Sequence, residues 1–158
     1  MKKNKPYIKL FIHFDRPPTK KRGRGSPVFK NGKFIKTQVF TPKDTKDNMK
    51  IIASATAKHV TDEDKTSVFR LCVIARFPRP ANLMNKMEED TIIIGKGGSY
   101  ADWDNIGKIV SDALNHVVWK DDAQVGDGRS IRRYVKKVKG EWEQPGIFFT
   151  ITKICKII

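Results

Sequence analysis

Five aspartates, Asp102, Asp104, Asp112, Asp121 and Asp122, crowd into residues 100–125 of a chain in which 17 acids stand against 32 lysines and arginines. Two like charges about 4 Å apart repel by roughly 4 kcal/mol at an effective dielectric of about 20, so such a cluster is costly unless a cation or a proton holds it together. A hard divalent ion suits these donors, because Mg²⁺ takes oxygen ligands and keeps waters that a phosphate can replace. Such an ion polarises a phosphate oxygen and activates a water for attack. Lys108 would then neutralise charge developing on the phosphoryl oxygens or assist the leaving group. A structural reading fits the same spacing: Asp104 caps a helix, Lys108 pairs with Asp104 or Asp112, and Asp121-Asp122 make a turn.

The element that must position these groups is a helix. Ile106, Ile109, Val110, Ala113, Leu114 and Val117 recur at helical spacing and form one apolar stripe. Asp104 falls where an N-cap belongs, its carboxylate accepting from the free N–H groups of the first turn. Lys108 lies one turn above it, and Asp112 one turn further. With the right turn after Trp119, the Asp121-Asp122 pair returns to the same end. Strand alternation there would turn Trp119 and Val125 inward and Asp122 and Gln124 outward. The glycine-rich run before the helix, Gly95-Lys96-Gly97-Gly98-Ser99, lacks the spacing and the closing Lys-Ser/Thr pair of a P-loop.

The rest of the chain reads as a scaffold with a basic surface. Its 158 residues suit a single domain, 1–158, with a real core. A net charge of +15 implies a polyanionic partner, most simply nucleic acid. No apolar run is long enough to span a membrane, and no signal-length apolar segment follows the basic start, so a cytoplasmic protein is expected. Cys72 and Cys155 read as reduced thiols, with a disulfide between them left open, and the three histidines lack zinc spacing with them.

Residues 7–14 alternate as a strand that Pro17-Pro18 ends. Residues 19–27 form a mobile basic loop, in which Lys20, Lys21, Arg22 and Arg24 are candidate phosphate contacts. Asn31-Gly32 marks a hairpin, with Phe29 and Phe34 beside it as candidates for an aromatic wedge. Thr41 as N-cap and Pro42 at the first helical position open a helix with the core stripe Met49, Ile52, Ala53, Thr56, Ala57 and Val60. The acids of Asp62-Glu63-Asp64 read as a solvated turn. Residues 67–77 are the strongest strand. Residues 82–90 read as a short helix, 91–94 as a short strand, and Gly126-Asp127-Gly128-Arg129 as a turn. A basic strand follows, in which Arg132, Arg133, Lys136 and Lys137 are further DNA-contact candidates. The sum is an α+β fold: a mixed sheet of about five or six strands with two main helices packed against it.

Asp102-Trp103-Asp104-Asn105, Lys108, Asp112-Ala113-Leu114-Asn115 and Val118-Trp119-Lys120-Asp121-Asp122-Ala123-Gln124-Val125 together resemble the signature of the RusA-type Holliday junction resolvases. Arg16-Pro17-Pro18-Thr19-Lys20-Lys21-Arg22 resembles that family's early Pro-Pro-basic loop. Thr41-Pro42 resembles the start of its first helix, and Phe77-Pro78-Arg79-Pro80 its mid-chain strand end. The resemblance implies a RusA-like fold and a homodimeric endodeoxyribonuclease of bacterial or phage-infected cells. It implies binding of four-way DNA junctions and their resolution by paired symmetric nicks in recombination and repair. It further implies Mg²⁺, with Mn²⁺ as a substitute, held by Asp102, Asp104 and Asp122, with Lys108 assisting catalysis and Asp121 as the alternative ligand. Two departures stand out: Ala101 where a proline often precedes the acidic pair, and residues 126–129, which look like an insertion. The competing classes are a non-catalytic basic nucleic-acid-binding protein and a less selective branched-DNA nuclease.

Overall fold

The computed structural model describes residues 7–18, 24–84 and 103–156. Asp102, Lys20, Lys21 and Arg22, the strand expected at 91–94 and the glycine-rich run at 95–99 lie outside the described residues.

A four-stranded mixed sheet carries the fold. In chain order its strands are β1 (Ile8–His13), β4 (Ser67–Phe77), β5 (Val125–Tyr134) and β8 (Gly146–Lys156). Their order across the sheet is β1-β8-β4-β5. β8 runs antiparallel to both β1 and β4, while β4 and β5 are parallel. A parallel pair needs a crossover, and among its described residues the main element is helix α2 (Trp103–Ala113). The remaining strands form two separate hairpins, β2 (Arg24–Lys30) with β3 (Lys33–Phe40) and β6 (Lys137–Val138) with β7 (Glu141–Trp142). The fold is thus α+β with two main helices on a mixed sheet, and among the described residues that sheet has four strands.

Alternation in β4 decides which face is covered. Ser67, Phe69, Leu71, Val73, Ala75 and Phe77 are buried, and the residues between them are not. They pack with Ile8 and Ile12 of β1, Ile147, Phe149 and Ile151 of β8, and the stripe of α2 formed by Ile106, Ile109, Val110 and Ala113. Helix α1 (Lys43–Ala57) adds Ile52 and Thr56. Trp119 is fully buried, its ring tilted against Phe69 with centroids 5.4 Å apart. Truncating such a side chain to alanine costs about 3–5 kcal/mol. The thiols of Cys72 and Cys155 are both free.

Several local expectations change. Pro42 itself takes the N-cap position of α1 (φ −54°, ψ 146°), and its carbonyl accepts from Lys46 N at 3.2 Å. Thr41 is therefore not the cap, and Ala57 is exposed rather than core. Residues 24–27, expected in a mobile loop, already belong to β2. The Asn31-Gly32 turn is as expected, with φ of 51° and 72°, the two positive values that a two-residue type I′ hairpin requires. Residues 81–83 form a 3₁₀ turn, and most of the helix expected at 82–90 lies outside the described residues. Gly126-Asp127-Gly128-Arg129 lies within β5 and not in a turn: Asp127, Gly128 and Arg129 pair with β4, and Gly126 is the extra residue at the register shift between Phe69 and Arg70.

Candidate active site

The site grows from the N-terminal half of α2. Asp104 stands in the first turn rather than at the cap, because the helix already includes Trp103. A carboxylate there still meets the positive end of the helix dipole, worth about 0.3–1 kcal/mol. Lys108 sits one turn on, with Nζ 4.0 Å from Asp104 Oδ2. Both side chains remain about half exposed or more, so the pair holds orientation more than it adds stability.

Asp122 arrives from the other side of the crossover. It opens a short 3₁₀ turn (Asp122–Gln124) directly before β5. Asp121 caps that turn: its Oδ1 accepts from Ala123 N at 2.8 Å. The adjacent aspartates therefore have different surroundings, with Asp121 in the turn's own hydrogen bonding and Asp122 lining the pocket.

A brace behind the turn explains its position. Gln124 is buried, not outward as strand alternation suggested. Its Oε1 accepts from Lys120 N at 2.9 Å, and its Nε2 donates to the carbonyls of Asp64 at 2.8 Å and Ser67 at 2.9 Å. Asp64 N in turn donates to Val118 O at 2.8 Å. The Asp64 carboxylate accepts from Thr66 N, Ser67 N and Ser67 Oγ, and pairs with Lys153 at 2.7 Å. The Lys153 bond, aided by these donors and opposed by partial burial, holds Asp64 well below the usual carboxylate range. Asp64 is thus a structural hub and not part of a solvated turn. Gln124 lies inside the quoted signature, but neither it nor Asp64 has a local sequence pattern that signals the brace.

Asp104, Lys108 and Ser111 of α2, Asp122 of the turn, and Arg129 and Ser130 of β5 line one pocket of about 260 Å³. Close approach makes this convergence feasible: a Cβ at Gly107 would lie 2.5 Å from Ser130 Oγ, so glycine lets α2 lie close against β5. Sequence reading missed Arg129, which it placed in a turn, and Ser130. It also missed Ser111, although a position three residues after Lys108 on the same helix was a usable signal.

The donors suit a hard cation. Two carboxylates face the pocket, and no thiol or imidazole among the described residues lines it. Among the described residues no three His, Cys, Asp or Glu side chains gather closely enough to hold a metal. The third expected ligand, Asp102, lies outside them.

The expected DNA contacts separate into different environments. Arg133 is corrected: it is 8 % exposed, and its guanidinium is bonded to both carboxylate oxygens of Glu143, so it braces β5 instead of facing solvent. Arg132 and Lys136 are half-buried, and Lys137 is exposed with Nζ 5.3 Å from the centre of the Trp142 ring. Arg24 opens β2. No helix among the described residues is long and apolar enough to cross a membrane.

The sequence profile of one family, endodeoxyribonuclease RusA, matches residues 16–151 of the chain. No curated protein matches it.

Proposed function

The chain belongs to the endodeoxyribonuclease RusA family, and from that premise we propose that it is a Mg²⁺-dependent, structure-selective endonuclease that resolves four-way DNA junctions as a homodimer. The observation that carries the reading is the pocket shared by Asp104, Lys108 and Asp122. The net charge of +15 supports a polyanionic substrate.

Asp102, Asp104 and Asp122 would hold the ion, and Mn²⁺ suits the same oxygen donors. When bound, it supplies Lewis-acid polarisation of the scissile phosphate and a water of lowered pKa. The chain's own residues do the rest. The Lys108 ammonium is aimed by Asp104 and neutralises charge growing on the phosphoryl oxygens as the P–O bond to the leaving strand breaks. Arg129 brings a second cation to the same pocket. A two-fold dimer with one such site per subunit delivers two symmetric cuts. Phosphate contacts from Lys20, Lys21, Arg22, Arg24, Arg132, Lys136 and Lys137 would position the arms without reading sequence.

The test is cleavage of a labelled synthetic junction beside matched linear duplex, with Mg²⁺ or EDTA. Symmetric nicks in the junction alone, lost in EDTA, are expected. Junction binding without nicking in Mg²⁺ would rule out the endonuclease reading, and equal cutting of duplex would rule out structure selectivity.

A further inference from the structure

The β2–β3 hairpin contributes nothing to the pocket, yet it carries an exposed aromatic and cationic surface. Phe29 and Phe34 are cross-strand partners, 60 % and 59 % exposed, with ring centroids 6.0 Å apart at 74°. In the next rung, at the turn, Lys30 and Lys33 are direct partners and both exposed. Like charges directly opposite each other destabilise a hairpin. Beyond Ile35, an extra residue in β3, Lys36 is exposed too. Among the described residues none of these lysines has a carboxylate partner. The hairpin is a two-stranded sheet of its own, an arrangement only marginally stable in water.

Flat apolar rings beside unmatched ammonium groups are complementary to unstacked bases beside phosphates. A second copy seated hairpin to hairpin is a poor occupant of this surface, since it would bring the same three lysines against these. We propose that the β2–β3 hairpin is a DNA-binding arm whose Phe29–Phe34 pair stacks on bases left unpaired at a branch point, while Lys30 and Lys33 hold the flanking phosphates. This deepens the reading of the chain as a branched-DNA nuclease and rests on it for the substrate, but it concerns binding alone. The arm selects DNA with unstacked bases over regular duplex, a discrimination that the phosphate-directed chemistry of the pocket does not supply.

The test uses the full chain in EDTA, so that no DNA is cut. Equilibrium binding to a four-way junction and to matched duplex is compared for wild type, Phe29→Ala/Phe34→Ala and Lys30→Gln/Lys33→Gln, with 2-aminopurine at the exchange point. The aromatic variant is expected to lose about tenfold or more in junction affinity, from the loss of stacking. Its duplex affinity should change by less than about twofold, and the 2-aminopurine response should disappear. The lysine variant should weaken both DNAs and flatten the salt dependence by about two charges. Equal losses on both DNAs in the aromatic variant, or junction binding and fluorescence unchanged, would overturn the proposal. So would a loss that tracks dissociation into a smaller species by sedimentation, which would assign the arm to a second copy. Failure of wild type to nick in Mg²⁺ would sink the nuclease reading while leaving a positive binding result intact. A junction-nicking wild type with unaltered binding in the aromatic variant would do the reverse.

Discussion

Asp104 and Asp122 line the same pocket although one stands in the first turn of α2 and the other in the 3₁₀ turn that leads into β5. α2 is held by its buried stripe, and the turn by the Gln124 brace. The relative position of the two acids can therefore be disturbed from either side without touching them.

Gln124→Leu should uncouple the turn. The substitution leaves Lys120 N and the carbonyls of Asp64 and Ser67 without their side-chain partners. A loss of about 1–3 kcal/mol is expected in denaturant unfolding. Single-turnover cleavage of bound junction should slow, while junction affinity is unchanged. Equal activity in the two proteins would show that the brace does not position the site.

The Asp64–Lys153 pair should make stability fall in acid. An unfolded Asp titrates near pH ~3.9, and the folded value is lower because of the Lys153 bond and the donors from Thr66 and Ser67. The folded state then binds fewer protons, so the stabilisation is present above about pH 3.9 and fades as pH falls towards the folded value. Wild type should lose Tm steeply between about pH 5 and 2. Asp64→Asn should melt lower at neutral pH and show a shallower acid slope. Parallel curves for the two proteins would contradict this.

Gly146 is where the backbone tolerates no side chain. Its φ is +148°, and a Cβ there would lie 2.3 Å from Ile12 O, a backbone atom that cannot rotate away. Gly146→Ala should cost at least about 2 kcal/mol. Gly128→Ala is the control: nothing lies within 4 Å of its Cβ position, and its Tm should stay near wild type.

Lys108→Ala should reduce the single-turnover rate by about 10²–10³-fold, the scale of removing one fixed charge-stabilising group. Junction affinity should change little, because one phosphate contact is lost from a strongly basic surface. A variant that cuts at the wild-type rate but binds weakly would make Lys108 a docking residue instead.

Much of this arrangement was legible in the sequence. Period-two alternation gave β4 with both ends as observed, helical spacing gave the buried face of α2, and Asn31-Gly32 gave the hairpin. These signals are local and follow from backbone geometry. What escaped was set by tertiary partners. Gln124 was read as outward because residues 119–125 were treated as a strand, whereas a 3₁₀ turn points it inward at the Asp64 and Ser67 carbonyls. Gly126 and Gly128 suggested a turn, yet the strand runs through them, Gly128 pairing with Leu71 and Gly126 taken up as an irregularity of the register. Arg133 looked like surface charge because its partner, Glu143, lies beyond the next hairpin strand.

The most direct measurement compares two neighbouring substitutions, Asp121→Asn and Asp122→Asn, in single-turnover cleavage of a prebound four-way junction with Mg²⁺. Asparagine keeps the side-chain oxygen that accepts from Ala123 N, so Asp121→Asn should cut within a few-fold of wild type. Asp122→Asn removes a pocket carboxylate and should be inactive while still binding the junction. If instead Asp122→Asn cuts normally and Asp121→Asn does not, the pocket shared by Asp104, Lys108 and Asp122 is not the catalytic centre.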